Sequence, residues 1–235
     1  MTEEKRPVAA FFDFDHTLID ANSGMMYARF ERRAGRVTRL QLARVAFWMV
    51  LYKLSIIDMD KVYRFALSRY QGESAADLDS RTQTWFHEEI AQRIQPGALE
   101  ALAYHRAQGH PLVIITSSSI YLARCAAEHY QLDEGIGNSF VLDEEGKFAG
   151  DFVAPLCYRE GKIAWAKQWA EPRGIDLKDC YFYSDSLSDV PLLEAVGNPR
   201  VVNPDFRLRR YARKQQWTIL DWRRSEGAVP ELGTL

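Results

Sequence analysis

The chain has 235 residues, of which 47% are hydrophobic and 26% charged, and its formal net charge is −2. This is ordinary globular composition, with length for one large domain or for a core domain carrying an insert; a charge so near neutral argues against general attraction to nucleic acid or to an acidic membrane surface. Three cysteines, Cys125, Cys157 and Cys180, are an odd number with no C-x-x-C spacing, which argues against a disulfide framework or a zinc site and for buried thiols.

In chain order, residues 1–7 are charged and lack the apolar stretch of a secretory signal. Residues 8–12 are an uncharged run that reads as a buried strand, and it leads into Asp13-Phe14-Asp15-His16-Thr17. From about residue 23 to residue 95 the sequence is helix-forming, free of proline until Pro96, with breaks near Gly35 and Gly72. Its longest apolar run, residues 45–52, is far shorter than the ~20 residues of a spanning helix. A soluble, cytoplasmic protein is expected. A helix over 98–108 ends at Gly109, a second buried strand covers 111–116, and an amphipathic helix follows over 121–130. Residues 139–142 and 147–153 form a hairpin around Asp143-Glu144-Glu145-Gly146. A helix over 160–170, a third buried strand over 180–184, a helix over 191–196 and short strands at 200–202 and 217–220 complete the pattern.

Strands that alternate with helices predict an α/β fold, a three-layer doubly wound and mostly parallel sheet. The helical block between the first two strands is too long for an ordinary crossover and reads as an inserted all-helical cap. The expected division is therefore a core of 1–20 and 96–235 and a cap of 21–95.

In such a sheet the carboxyl ends of neighbouring strands converge on one crevice. Asp13 and Asp15 end the first strand and, two residues apart in extended chain, face the same way. Ser117 ends the second strand, Lys162 opens a helix, and Asp185 and Asp189 follow the third. Each has a plainer reading when taken singly. The aspartates of the first motif belong to a polar turn with Thr17 or Asp20 capping the next helix; Ser117 is an N-cap; Lys162 is a solvated charge; Asp185 and Asp189 cap the following helix. As an ordered set they describe hard oxygen ligands with an open face, suited to Mg²⁺, beside a lysine and hydroxyls suited to phosphate oxygens.

The ordered set resembles the haloacid dehalogenase superfamily, in the branch of phosphoserine phosphatase and related small-molecule phosphatases. Asp13-Phe14-Asp15-His16-Thr17 matches its DxDx[TV] motif, Ile114-Ile115-Thr116-Ser117 its hydrophobic strand ending in Ser or Thr, Lys162 its lysine, and Asp185-Ser186-Leu187-Ser188-Asp189 its acidic pair. The resemblance spans about residues 11–222 and implies a phosphomonoester hydrolase. Asp13 would be the nucleophile that forms an aspartyl-phosphate, and Asp15 the general acid and then base. Mg²⁺ would be held by Asp13, Asp185 and the Asp15 backbone carbonyl; Ser117 and Lys162 would hold phosphate oxygens; and Asp189 would orient Lys162 or the metal's surroundings.

The substrate is less determined. Asn22 stands where phosphoserine phosphatases carry a substrate-binding glutamate, and Ser118-Ser119 replace their Gly-Gly. Tyr183-Ser184-Asp185-Ser186, Pro191-Leu192-Leu193, Val202-Asn203-Pro204-Asp205 and Trp217-Thr218-Ile219-Leu220 look closer to a histidinol-phosphatase-like group. The expected partner is a small phosphomonoester, histidinol phosphate first, with phosphoserine or a lipid phosphate such as phosphatidylglycerophosphate as alternatives. Neither nucleic acid nor stable membrane association is expected. A non-catalytic phosphoacceptor or binding protein is the alternative from another class. The apolar run at 45–52 reads either as cap packing or as a lipid entrance.

Overall fold

The computed structural model describes residues 6–40, 43, 47, 51, 60, 63–64, 67–68 and 70–223. Its strands are β1 (Ala10–Phe12), β2 (Leu112–Ser119), β3 (Glu134–Asn138), β4 (Phe140–Leu142), β5 (Phe148–Phe152), β6 (Tyr181–Ser184), β7 (Asn198–Val202) and β8 (Thr218–Leu220). The helices are α1 (Ser23–Arg33), α2 (Ala75–Trp85), α3 (Pro96–Ala107), α4 (Ile120–His129), α5 (Glu160–Ala170), α6 (Val190–Ala195) and α7 (Phe206–Lys214). A π-helical turn, Phe86–Ile90, extends α2.

Six strands pair in parallel in the order β3-β2-β1-β6-β7-β8, while β4 and β5 form a separate antiparallel hairpin. β1 is central because it is apolar on both sides: Phe11 pairs with Val113 and Phe182, and Phe12 with Ile114 and Tyr183. Successive side chains go to opposite faces. Phe12, Ile114, Tyr183 and Val202 pack beneath α3, α4 and Trp222, whereas Phe11, Val113, Phe182 and Val201 pack beneath α5, α6 and α7. Phe12 stacks on Tyr183 at 4.8 Å between centroids, and Phe11 meets Trp169 edge-on at 5.5 Å. Each such buried ring contributes about 1.5–3 kcal/mol over an exposed one. The sheet is thus covered on both faces, the three-layer α/β arrangement expected.

Three features differ from the sequence expectation. β2 runs on through the serines to Ser119. β3 is an additional edge strand that its glycines hide: a Cβ at Gly135 would lie 2.2 Å from the Ala123 carbonyl oxygen, so only glycine lets α4 close on it. α7 is an additional helix whose arginines obscure its buried Leu208 and Ala212, spaced by one turn; Asp205 caps it by accepting the Leu208 amide at 2.8 Å.

Within 21–95, the chain breaks where expected, at Gly35 and Gly72, both with positive φ. α2 and its π turn send Trp85, Phe86 and Ile90 into the apolar layer shared with β1 and α3. Of the run at 45–52, Phe47 is exposed and Leu51 half-buried; the rest, Trp48 included, lies outside the described residues. So does the tail from residue 224. No helix among the described residues is long and apolar enough to cross a membrane.

Candidate active site

The carboxyl end of β1 leads into a turn closed by backbone hydrogen bonds, Thr17 and Ile19 both donating to the Phe14 carbonyl, and braced by side chains. The Asp13 amide donates to the Tyr183 carbonyl at 2.9 Å, extending the ladder to the first aspartate. The chain then turns through His16, whose φ of 56° is left-handed. Gln95 holds this turn from below: its buried side-chain amide donates to the His16 and Thr17 carbonyls at 2.9 and 2.7 Å. Asn203 in turn donates to the Gln95 side-chain oxygen at 2.7 Å. Asp15 accepts the Ser23 amide at 2.9 Å, at the first turn of α1. A helix N-terminus offers free amides and a partial positive charge, so this is a favourable seat for a carboxylate. Asn22, and neither Thr17 nor Asp20, caps α1, accepting the Met25 amide at 2.9 Å.

Lys162 reaches the same place from α5. A Cβ at Gly161 would lie 1.9 Å from the Leu156 carbonyl oxygen, so a glycine lets the first turn of α5 press against the preceding loop. The lysine is 1% exposed, far from a solvated charge. Its Nζ donates to Asp13 Oδ1 at 2.9 Å and to Asp189 Oδ2 at 2.7 Å. Asp189 also accepts the Ser184 hydroxyl at 2.7 Å, and its Oδ1 is buried with no partner among the described residues. Its side chain does not cap α6. Asp185 is held through the fully buried Thr17, whose hydroxyl accepts the Asp185 amide at 3.0 Å and donates to its carboxylate at 3.4 Å.

Ser117 lies half-buried near the end of β2; Ser119, not Ser117, caps α4 by accepting the Leu122 amide. The Ser117 carbonyl accepts from Tyr63 and from Asn138, both at 2.6 Å. Direct hydrogen bonds thus join Asp13, Lys162 and Asp189, Thr17 ties in Asp185, and Asp15 and Ser117 are anchored separately. Sequence reasoning missed Gln95, Tyr63 and Asn138, which support the site through backbone carbonyls. A lone Gln, Tyr or Asn carries no spacing signal for that role.

The electrostatics are unbalanced toward negative charge. Burial pushes Asp13 up to about 7 despite the opposing pull of Lys162, with Asp189 and Asp15 adding to the rise. Burial likewise raises Asp15 above the usual carboxylate range, offset in part by its bonds to Ser23. Asp185 is pushed well above that range by loss of hydration and then by Asp13, Asp189 and Asp15. Burial disfavours the charge on Lys162, but Asp13 and Asp189 outweigh it and hold the ammonium above an ordinary lysine. Four carboxylates therefore gather around one cation. An added divalent cation would relieve that repulsion, and hard oxygen donors suit Mg²⁺. Among the described residues no three His, Cys, Asp or Glu side chains are arranged to hold a metal ion by themselves. The three cysteines are buried free thiols, as expected from their spacing.

Comparison with known proteins agrees with this architecture. A Bordetella pertussis protein of unknown function superposes with a TM-score of 0.83 at 27% identity, over 93% of this chain and 100% of that one. Mycobacterium tuberculosis phosphoserine phosphatase SerB1 is 32% identical over 219 residues, 92% of this chain and 71% of the relative. A Neisseria meningitidis histidinol-phosphatase is 27% identical over 218 residues, 91% of this chain and 98% of the relative. The family model described as haloacid dehalogenase-like hydrolase matches residues 10–194, from β1 through the acidic loop to α6. On that match the chain belongs to the haloacid dehalogenase-like hydrolase family.

Proposed function

We propose that the chain is a Mg²⁺-dependent phosphomonoester hydrolase that works through an aspartyl-phosphate on Asp13, with residues 21–95 as the cap over its site. The observation that carries this reading is the buried Asp13–Lys162–Asp189 chain beside a separately anchored Asp15. One carboxylate is fixed by a cation at the sheet edge; the other is partly open to solvent, with its acidity shifted toward the working range of a general acid. The phosphatase names of the two curated relatives support the same reading.

Asp13 would be held with Asp185 and the Asp15 carbonyl around Mg²⁺, which when bound keeps Asp13 ionised and screens it from phosphate. In the first step an Asp13 oxygen bonds to phosphorus as the ester P–O bond breaks, and Asp15 gives its proton to the departing alkoxide. In the second, Asp15 takes a proton from water, the water oxygen bonds to phosphorus, and the Asp13–phosphate bond breaks to release inorganic phosphate. Lys162 and Ser117 stabilise the phosphoryl oxygens during both transfers. Asp189 and Ser184 keep Lys162 aimed at Asp13.

The substrate we favour is a small soluble phosphomonoester, histidinol phosphate before phosphoserine or a lipid phosphate. The histidinol-phosphatase relative is matched over nearly its whole length. Asn22, at the place of the phosphoserine-binding glutamate, has its side-chain oxygen committed to capping α1. The test is hydrolysis of a generic aryl phosphate with and without Mg²⁺, followed by phosphorylated metabolites and phosphatidylglycerophosphate ranked by kcat/KM. Multiple turnovers only with Mg²⁺ support the reading; a single phosphorylation without turnover would instead identify a phosphoacceptor. A tenfold preference for the lipid would overturn the choice of substrate.

A further inference from the structure

Among the described residues, the insert meets the end of the phosphate-handling strand through the Ser23 and Ser118 hydroxyls, 3.0 Å apart, and through Tyr63. The Tyr63 hydroxyl, carried on the insert, donates to the Ser117 carbonyl at 2.6 Å and accepts from the Asn138 side-chain amide at 2.9 Å. The same Asn138 amide donates to the Ser117 carbonyl at 2.6 Å, and its side-chain oxygen accepts the Cys157 amide at 2.7 Å. Asn138 is 2% exposed and its bond to the Cys157 amide is buried, while Tyr63 and Ser117 are half-buried. One side chain thereby joins the insert, the end of β2 and the loop that delivers Lys162.

The surroundings make this junction a seat for the insert. Tyr63 packs edge-on against Phe152 and lies with Leu67, Leu156 and Tyr158 in a small apolar cluster separate from the main core. Arg64 pairs with Asp151 and covers the Phe152 ring. Past Gly72, the insert bonds backbone to backbone with the β4–β5 hairpin: Gly72 to Phe148, Phe148 to Glu73, and Ala75 to Gly146. The insert and hairpin are thus joined along an edge, and Tyr63 is where that assembly meets Ser117.

We propose that Tyr63 and Asn138 are positioning residues: they hold the Ser117 carbonyl, so the phosphate-binding end of β2 takes its working shape when the insert is seated. A carbonyl held by two donors fixes the peptide on either side of it, and with it the Ser117 side chain. Removing the Tyr63 hydroxyl leaves one donor and loosens the strand end. Binding of any phosphoryl group then weakens, while the reacting carboxylates stay in place. This inference rests on the phosphatase reading for its kinetic consequence and on geometry alone for its structural one.

Two variants separate the parts. Tyr63→Phe keeps the ring and its packing but removes the donor. Asn138→Asp keeps the acceptor for Cys157 while turning the donor at Ser117 into an acceptor. With an aryl phosphate and Mg²⁺, Tyr63→Phe is expected to raise KM and the inhibition constant of inorganic phosphate together, about five- to tenfold, with kcat within about threefold. Asn138→Asp is expected to do the same more strongly. Hydrogen exchange, read on the same proteins without substrate, should accelerate in the segment 116–119 and not in 163–170. Unchanged KM, phosphate inhibition and exchange in Tyr63→Phe would overturn the proposal, as would faster exchange throughout the chain, which would mark a purely structural role. A wild type inactive on every phosphate ester would count against the phosphatase reading instead, and the exchange result would still decide the positioning role.

Discussion

Two buried polar clusters lie back to back on the central sheet, and their difference explains why one is the candidate site. On one face His105, fully buried, bonds the Tyr183 hydroxyl and the His110 ring, each at 2.9 Å. On the other, Lys162 bonds Asp13 and Asp189. They share a strand: Tyr183 turns toward the first cluster and Ser184, its neighbour, toward the second. In the histidine cluster both ring nitrogens of His105 are hydrogen-bonded, and burial first and then His110 and Arg200 push His105 down to about 3. The acidic cluster gathers more negative charge than its lysine can balance, and one Asp189 oxygen has no partner among the described residues. Burial of polar groups is common to both; a gathering of carboxylates belongs to one. A cluster that satisfies itself contributes stability, whereas one left with excess charge has use for a ligand.

If that contrast is right, substitutions on the acidic face should remove turnover with the fold intact, and those on the histidine face the reverse. The largest effect is expected from Asp13→Asn, a loss of kcat on the order of 10³-fold or more, because an amide is a poor nucleophile; activity within tenfold of wild type would break the account. Asp15→Asn should cost on the order of 10²-fold or more, mainly in dephosphorylation when the leaving group is an activated phenol needing little proton donation. Rapid-quench comparison of the burst with the steady state checks that split. Asp185→Asn should raise the Mg²⁺ concentration for half-maximal rate about tenfold or more, from loss of a charged ligand. Equal Mg²⁺ titrations for variant and wild type would refute that assignment.

The smallest effects belong to the histidine face. His105→Asn should leave kcat/KM unchanged and lower stability by about 1–3 kcal/mol, through loss of a buried hydrogen bond. Its pH signature has a definite sign. The folded state holds His105 well below its ordinary 6.5, so the unfolded chain binds more protons between about 3 and 6.5. That contribution is complete above 6.5 and is lost as pH falls, at roughly 1.4 kcal/mol per pH unit. Asp13, raised to about 7, has the opposite sign, favouring the fold less as pH rises from about 4 to 7 in protein stripped of metal. Urea titrations at pH 5 and 7 should therefore show His105→Asn losing stability toward acid less steeply than wild type. A steeper loss would refute the assignment.

The same contrast marks how far the sequence could be read. The acidic residues were legible because their chemistry is local: two aspartates one residue apart after an apolar strand, and a second acidic pair after another. The order of buried strands and the hairpin were legible from apolar runs and turn residues. β3 was not, because Gly135 and Gly137 lack the side chains that signal a strand, although Gly135 is required by the approach of α4. α7 was not, because five basic residues mask the apolar pair on its buried side. His105, Gln95 and Asn138 were invisible as buried polar anchors, since each depends on partners many residues away. Long-range hydrogen bonds to backbone carbonyls leave no periodicity to find.

The central claim is that Asp13, one of the two carboxylates bonded to Lys162, carries the phosphoryl group. Asp15→Asn protein, quenched in acid during turnover of an aryl phosphate with Mg²⁺, should yield one phosphoryl group per chain, mapped by mass spectrometry to Asp13 and absent when Mg²⁺ is chelated. Phosphate mapped to residue 15 or to Ser117, or wild-type turnover that persists at full rate in EDTA, would contradict it.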